Sequence, residues 1–192
     1  MKMKYTLMAL AILALTAASA VAQGKLKIDP EQQYLLLSTN KTSTMQKELD
    51  EASGLGFRVK IGVSNCGQME MVLFLERVAE PPNLYKYKLV ATNKTSTMDK
   101  ELNDVAREGF RLMPQSLMAK EGMLTKEIVG VMEKSPRSDK RYEYKLLATS
   151  LTGTLQKEVK QAEADGYSLV GMIARGENMV VMEKETTLKA GN

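Results

Sequence analysis

Apolar and polar positions follow two different periods along this chain, and the switch between them recurs three times. Tyr144, Leu146 and Ala148 alternate with Glu143, Lys145 and Leu147, the two-residue period of a half-buried strand. Tyr87, Leu89 and Ala91 form the matching face upstream, as do Tyr34, Leu36 and Ser38. The period then lengthens. Met45, Leu49 and Ala52 stand at i, i+4 and i+7, as do Met98, Leu102 and Val105, and Leu155, Val159 and Ala162. Each set predicts a helix with one stripe laid on a sheet. Gly56, Gly109 and Gly166 end these helices, where a left-handed residue is wanted, and Phe57, Phe110 or Tyr167 opens a second strand. The third strands, "MVLFLE", "IVGVME" and "MVVME", are apolar almost without break. That is the mark of a strand covered on both sides or paired along both edges.

The joint between first strand and helix is spelled "TNKTSTM" at 39–45 and again at 92–98, followed each time by one variable residue and "KEL". Fixed-period recurrence means tandem structural units. The expected fold is α+β: three β-α-β-β units at 32–78, 85–135 and 142–185, with a C-terminal tail at 186–192. In each unit the third strand is expected between the other two and antiparallel to both. This gives a three-stranded sheet of order 1-3-2 covered by one helix. Ser43 and Ser96 are expected as helix N-caps, with Gln46 and Asp99 as capping-box partners; Gly153 and Gln156 hold those places in the third unit. So small a unit buries too little surface to stand comfortably alone. The Pro-containing joins "AEPPNL" and "PRSDKR" keep neighbours close enough to shelter one another.

The strand "YEYKLL" at 142–147, the Leu- and Glu-rich helix after it, and "ADGYSLVGM" resemble a small bacterial domain family of unknown function. Its members open with a Tyr-x-Tyr-Lys strand, and their helix ends in a Glu-Gly-Trp-Glu-Leu-like turn. The resemblance covers all three units, with Phe or Tyr here where that family has Trp. It implies the fold and no chemistry.

The chain begins with Lys2 and Lys4, an apolar run from Leu7 to Leu15, and Ala20-Val21-Ala22. This reads as a signal peptide, residues 1–22, cleaved after Ala22. The run is short of the about 20 apolar residues that a membrane span needs, so no transmembrane span is expected after cleavage. The segment carries two Lys and no acid, so its removal lowers the formal net charge of +4 to near balance. A nucleic-acid partner would call for a clustered basic face, and none is expected. With no His in the chain, imidazole acid–base pairs and His-ligated zinc are excluded. Cys66 is the only thiol, so no internal disulfide forms, and the lone thiol is buried, free or paired with another molecule. The absence of Trp and the three Phe argue against an aromatic sugar platform.

Three candidate sites stand out, each with a plainer alternative. Lys41, Thr42 and Ser43, repeated as Lys94, Thr95 and Ser96, put hydroxyls and a cation at a helix N-terminus. Free N–H groups there can hold an anion, or the hydroxyls act as caps alone. Cys66, Met69 and Met71 offer the soft donors that Cu(I) prefers, with Met69 expected to begin the third strand, or they are core filler and a loop thiol. The long hairpin "MPQSLMAKEGMLTKE" of the second unit carries Met118, Lys120, Met123 and Lys126 as a partner-binding tip, or it covers a neighbouring unit. Glu48, Glu101 and Glu158 recur beside Lys47, Lys100 and Lys157 and read as solvated surface.

These observations predict an exported, non-enzymatic repeat protein of the periplasm or extracellular space with no cofactor. It would bind a partner protein or small ligand. A soft-metal or anion binder and an oligomer-forming structural protein, joined through sheet edges, are the alternatives.

Overall fold

The computed structural model describes residues 28–29, 31–65, 67–79, 81–121, 126–136 and 139–187. Its fold is α+β, with three helices and three antiparallel sheets among the described residues. The first segment runs β1 (Tyr34–Thr39), α1 (Thr42–Gly54), β2 (Phe57–Asn65) and β3 (Glu70–Arg77). The second runs β4 (Lys86–Thr92), α2 (Thr95–Arg107), β5 (Arg111–Leu112), β6 (Met118–Glu121) and β7 (Lys126–Lys134). The third runs β8 (Lys140–Thr149), α3 (Thr152–Ala164), β9 (Ser168–Ala174) and β10 (Asn178–Thr187). The last strand thus continues to Thr187, two residues into the expected tail, where it pairs with Lys140. The proposed signal segment lies outside the described residues.

The first and third sheets have the orders β1-β3-β2 and β8-β10-β9, as the apolar third strands predicted. The second sheet departs from three strands: β7 lies between β4 and β5 and also pairs with β6. Its second strand is broken by a 3-10 turn at Pro114–Ser116, where proline has no N–H for the ladder. The Ser116 hydroxyl takes over there, accepting from Val131 N at 2.9 Å and donating to Met113 O at 2.7 Å.

The helices begin differently from the expectation. Lys41, Lys94 and Leu151 are the extended N-cap residues, and none of them makes a side-chain cap. The threonine that ends each first strand has already tightened the turn: Thr39, Thr92 and Thr149 accept from the N–H two residues on, at 3.2, 3.3 and 3.1 Å. Ser43 and Ser96 therefore fall inside the helices. Gly56, Gly109 and Gly166 have φ of 84°, 91° and 88°, the left-handed ends that were expected.

Helix α1 lays Met45, Leu49 and Ala52 against Leu35, Leu37, Leu73 and Leu75. That corrects the face assigned to the first strand, since Tyr34 and Leu36 point the other way, into solvent. In the other two segments the face bearing Tyr87 or Tyr144 is buried, yet not under its own helix. Tyr85, Tyr87, Leu89 and Ala91 join the core of the first segment. Tyr142, Tyr144, Leu146 and Ala148 join that of the second. Each later sheet is therefore covered by its own helix on one face and by the preceding segment on the other. Among the described residues no segment precedes the first sheet, and its outward face is open.

Candidate interaction surface

The same contact joins the first segment to the second and the second to the third. On β2, Arg58 donates two bonds to Glu133 of β7, at 2.9 and 2.8 Å, and lies over the ring of Tyr85 at 4.2 Å. Tyr87 donates to Glu133 at 3.0 Å and accepts from Val59 N at 3.2 Å. One segment later Arg111 meets Glu183 at 2.8 Å and lies over Tyr142 at 4.9 Å. Tyr144 then bonds Glu183 and Leu112 N, at 2.9 and 2.8 Å. Burial first, then the adjacent Glu charge, raises both phenols far above the ordinary tyrosine range. The carboxylates hold the Arg58 and Arg111 guanidinium groups above theirs, chiefly through these hydrogen bonds.

A second clamp joins each helix to the next first strand. Gln46 of α1 donates to Tyr87 O at 3.0 Å and accepts from Leu89 N at 2.8 Å. On α2, Asn103 donates to Tyr144 O at 3.0 Å and accepts from Tyr144 N at 2.9 Å, and Asp99 accepts from Leu146 N at 2.9 Å. The amide side chains stand in for a neighbouring strand, so the outer edges of β4 and β8 are closed.

Strand register makes the two ends of the chain comparable with these junctions. Tyr34, Tyr87 and Tyr144 lie opposite Glu76, Glu133 and Glu183. Val59, Leu112 and Leu169 lie opposite Leu75, Met132 and Met182. Tyr87 and Tyr144 are 4% and 3% exposed, whereas Tyr34 is 56% exposed. Val59 and Leu112 are 4% and 1% exposed, whereas Leu169 is 56% exposed. On the open face of the first sheet Leu36, Phe74 and Ile61 stand opposite one another across three strands, all exposed. A contiguous apolar row on a sheet face is the kind of surface that makes it a candidate for interaction.

The predicted sites fall as follows. Lys41, Thr42, Ser43 and their copies Lys94, Thr95 and Ser96 do lie at helix N-termini. At the second of these, Arg175 bonds Asn93 O and stands 3.4 Å from Thr95 Oγ1. Met71 is fully buried in the first core, while Met69 precedes β3 in a left-handed turn (φ 55°). Strand β3 thus begins at Glu70, and the two thioethers do not share a strand face. Cys66 and Met123 lie outside the described residues. Among the described residues no group of three or more His, Cys, Asp or Glu is placed to hold a metal.

The described part of the long hairpin packs inward. Met118 is buried in the first core, and Lys120 is largely covered in its ion pair with Glu127 at 3.0 Å. Lys126 remains half-exposed, paired with Glu121. Gly62 and Gly171 give this hairpin its room: a Cβ on Gly62 would stand 2.8 Å from Met118 Cε, and one on Gly171 3.2 Å from Leu117 Cδ2. The hairpin is wedged between β2 and β9, so Met118 is a packing residue and no tip. Glu48 and Glu101 are half-buried, and their carboxyls are raised by burial first and then by Glu51 and Asp104.

A groove of about 520 Å³ beside the first junction is lined by Arg58, Arg111, Lys140 and Ser135. Its cations are already paired with Glu133, Glu183 and Glu185. Among the described residues no helix is long and apolar enough to cross a membrane. Comparison with protein-family models, with curated proteins and with solved structures finds no match for this chain.

Sequence reasoning missed the junction residues Arg58, Arg111, Glu133 and Glu183. The available signal was an Arg directly after the Gly-aromatic pair in two units, with a Glu near the end of every third strand.

Proposed function

We propose that this is a non-enzymatic binding protein built from three copies of one β-α-β-β block, and that it takes hold of a protein partner through the open face of its first sheet. The observation behind this reading is the exposed row Leu36–Phe74–Ile61 on the face that the later sheets bury against a neighbour. An apolar face left without cover favours association with another apolar surface, at roughly 25 cal/mol per Å² removed from water. The export signal read at residues 1–22 puts that partner in the periplasm or outside the cell. A small anionic ligand in the groove beside Arg58 is less favoured, because it would have to displace carboxylates already bonded there.

The test is retention of a protein from the native envelope or culture fluid on the immobilised chain, wild type against Phe74→Glu. Phe74 is exposed, so the variant should melt like the wild type. Retention lost in the variant supports the reading; equal retention by both, or by neither, refutes it.

A further inference from the structure

The first sheet's open face and the far end of the third segment are two halves of the contact that the chain makes twice internally. We infer that the partner is a second copy of this chain, docked head to tail, with its third segment against the first sheet. This rests on reading that open face as the binding surface and names its occupant. Strand register carries the argument. Within the chain, the Tyr opposite the Glu of one segment covers the Val or Leu on the second strand of the segment before it. Tyr87 bonds Val59 N, and Tyr144 bonds Leu112 N. At the two ends of the described residues, the Tyr without such a residue is Tyr34, and the residue without such a Tyr is Leu169. Both are 56% exposed.

The helix clamp is likewise divided between the ends. Thirteen-residue helices place Gln46 of α1, Asp99 of α2 and Gln156 of α3 at one position. Gln156 is exposed and has the same amide that Gln46 uses on β4. The matching groups on β1 are Tyr34 O and Leu36 N, on the edge that faces away from β3. Further exposed apolar residues lie at both ends. Met172 and Leu151 flank α3 at one end, and Ile61 and Phe74 extend the first sheet at the other. The stack of arginine over tyrosine is absent from both ends together. Ser168 stands opposite Glu183, where β2 and β5 carry Arg58 and Arg111 opposite their own Glu, and Gln32 precedes Tyr34 by two residues, where Tyr85 and Tyr142 precede theirs. Neither end is left with an unmatched half of that stack. Lys60 takes Glu76 at 2.5 Å instead. The contact between copies is therefore weaker than the internal ones. Being heterologous, it closes into a ring or grows as a filament.

The experiment is sedimentation velocity on the full-length exported chain over a range of concentrations, with Tyr34→Asp and Leu169→Asp as end-blocking variants. Both positions are exposed, and unchanged melting verifies their folding. The wild type should grow beyond a dimer as concentration rises. Each variant alone should associate more weakly by roughly 30-fold or more, the effect of losing one hot-spot side chain. An equimolar mixture of the two should form a one-to-one complex and stop, since one head and one tail remain intact. A wild type that stays monomeric overturns the inference, as does a Leu169→Asp chain that associates like the wild type, which would mean first sheet on first sheet. A monomeric wild type that still captures a different protein through Phe74 sinks this inference and leaves the binding function standing. A chain that does neither sinks both.

Discussion

Tyr87 and Tyr144 each use one hydroxyl twice, donating to a glutamate of their own segment and accepting from a backbone N–H of the segment before. Replacing either with Phe leaves a buried N–H and a carboxylate short of a partner. We expect a loss of about 1–3 kcal/mol in chemical unfolding. The same phenols set an alkaline limit. Burial, then the Glu charge, raises them above the ordinary value of about 10. In the unfolded chain they ionise first, so their contribution is complete below about pH 10 and falls as pH rises past it. Tyr87→Phe and Tyr144→Phe should each flatten the alkaline limb of the stability–pH curve, with phenolate absorbance following the unfolding. At Gly62 the limit is space. A side chain there would meet Leu73 Cδ2 at 2.5 Å and Met118 Cε at 2.8 Å. Gly62→Val is expected to cost about 1–3 kcal/mol as overpacking, read from its denaturation midpoint.

Each of α1 and α2 serves two sheets. Its apolar stripe covers its own, and its polar flank closes the edge of the next first strand. This separates two otherwise identical substitutions. Gln46→Ala strips Leu89 N and Tyr87 O of their partner and should cost about 1–3 kcal/mol. Gln156→Ala, at the matching position of α3 with no following strand among the described residues, should stay within about 0.5 kcal/mol in the dilute chain. Equal effects would show that the amides do not act as edge caps. On the stripe itself Leu102 is fully buried, and Leu102→Ala should lose about 2–5 kcal/mol.

Each later segment packs into the core of the one before, so stability is expected to be shared between neighbours. Tyr142, Tyr144, Met179 and Val181 complete the core around α2, so a chain ending after Ser135 loses one wall of that core. Calorimetry should find it melting below the intact protein; an unchanged melting temperature would contradict mutual support. This packing also accounts for the placement of exposed apolar side chains. Leu36, Ile61 and Phe74 sit at one end, and Leu151, Leu169 and Met172 at the other. The middle sheet has both faces covered, and its central strand β7 is buried from Ile128 to Met132.

What was legible in the chain was whatever repeats with a local period. Helix stripes, left-handed glycines and unbroken apolar third strands are settled by contacts within a turn or across one sheet, so they led directly to the α+β fold and the 1-3-2 order. What was not legible depended on the neighbour. In β1 both alternating faces are apolar, Leu35 and Leu37 against Tyr34 and Leu36; α1 buries the first pair, and whether the second pair is buried too turns on what packs against that face. Gln46 and Asp99 suit a capping box as well as a strand edge, and only the packing of β4 and β8 against the helices assigns them to the edge. Met118 in a long hairpin suits either solvent or a core, and the glycine that admits it lies far away in sequence, on β2. Local patterning dictated the building block. Burial between blocks, which no short window of residues encodes, dictated which surface stays open.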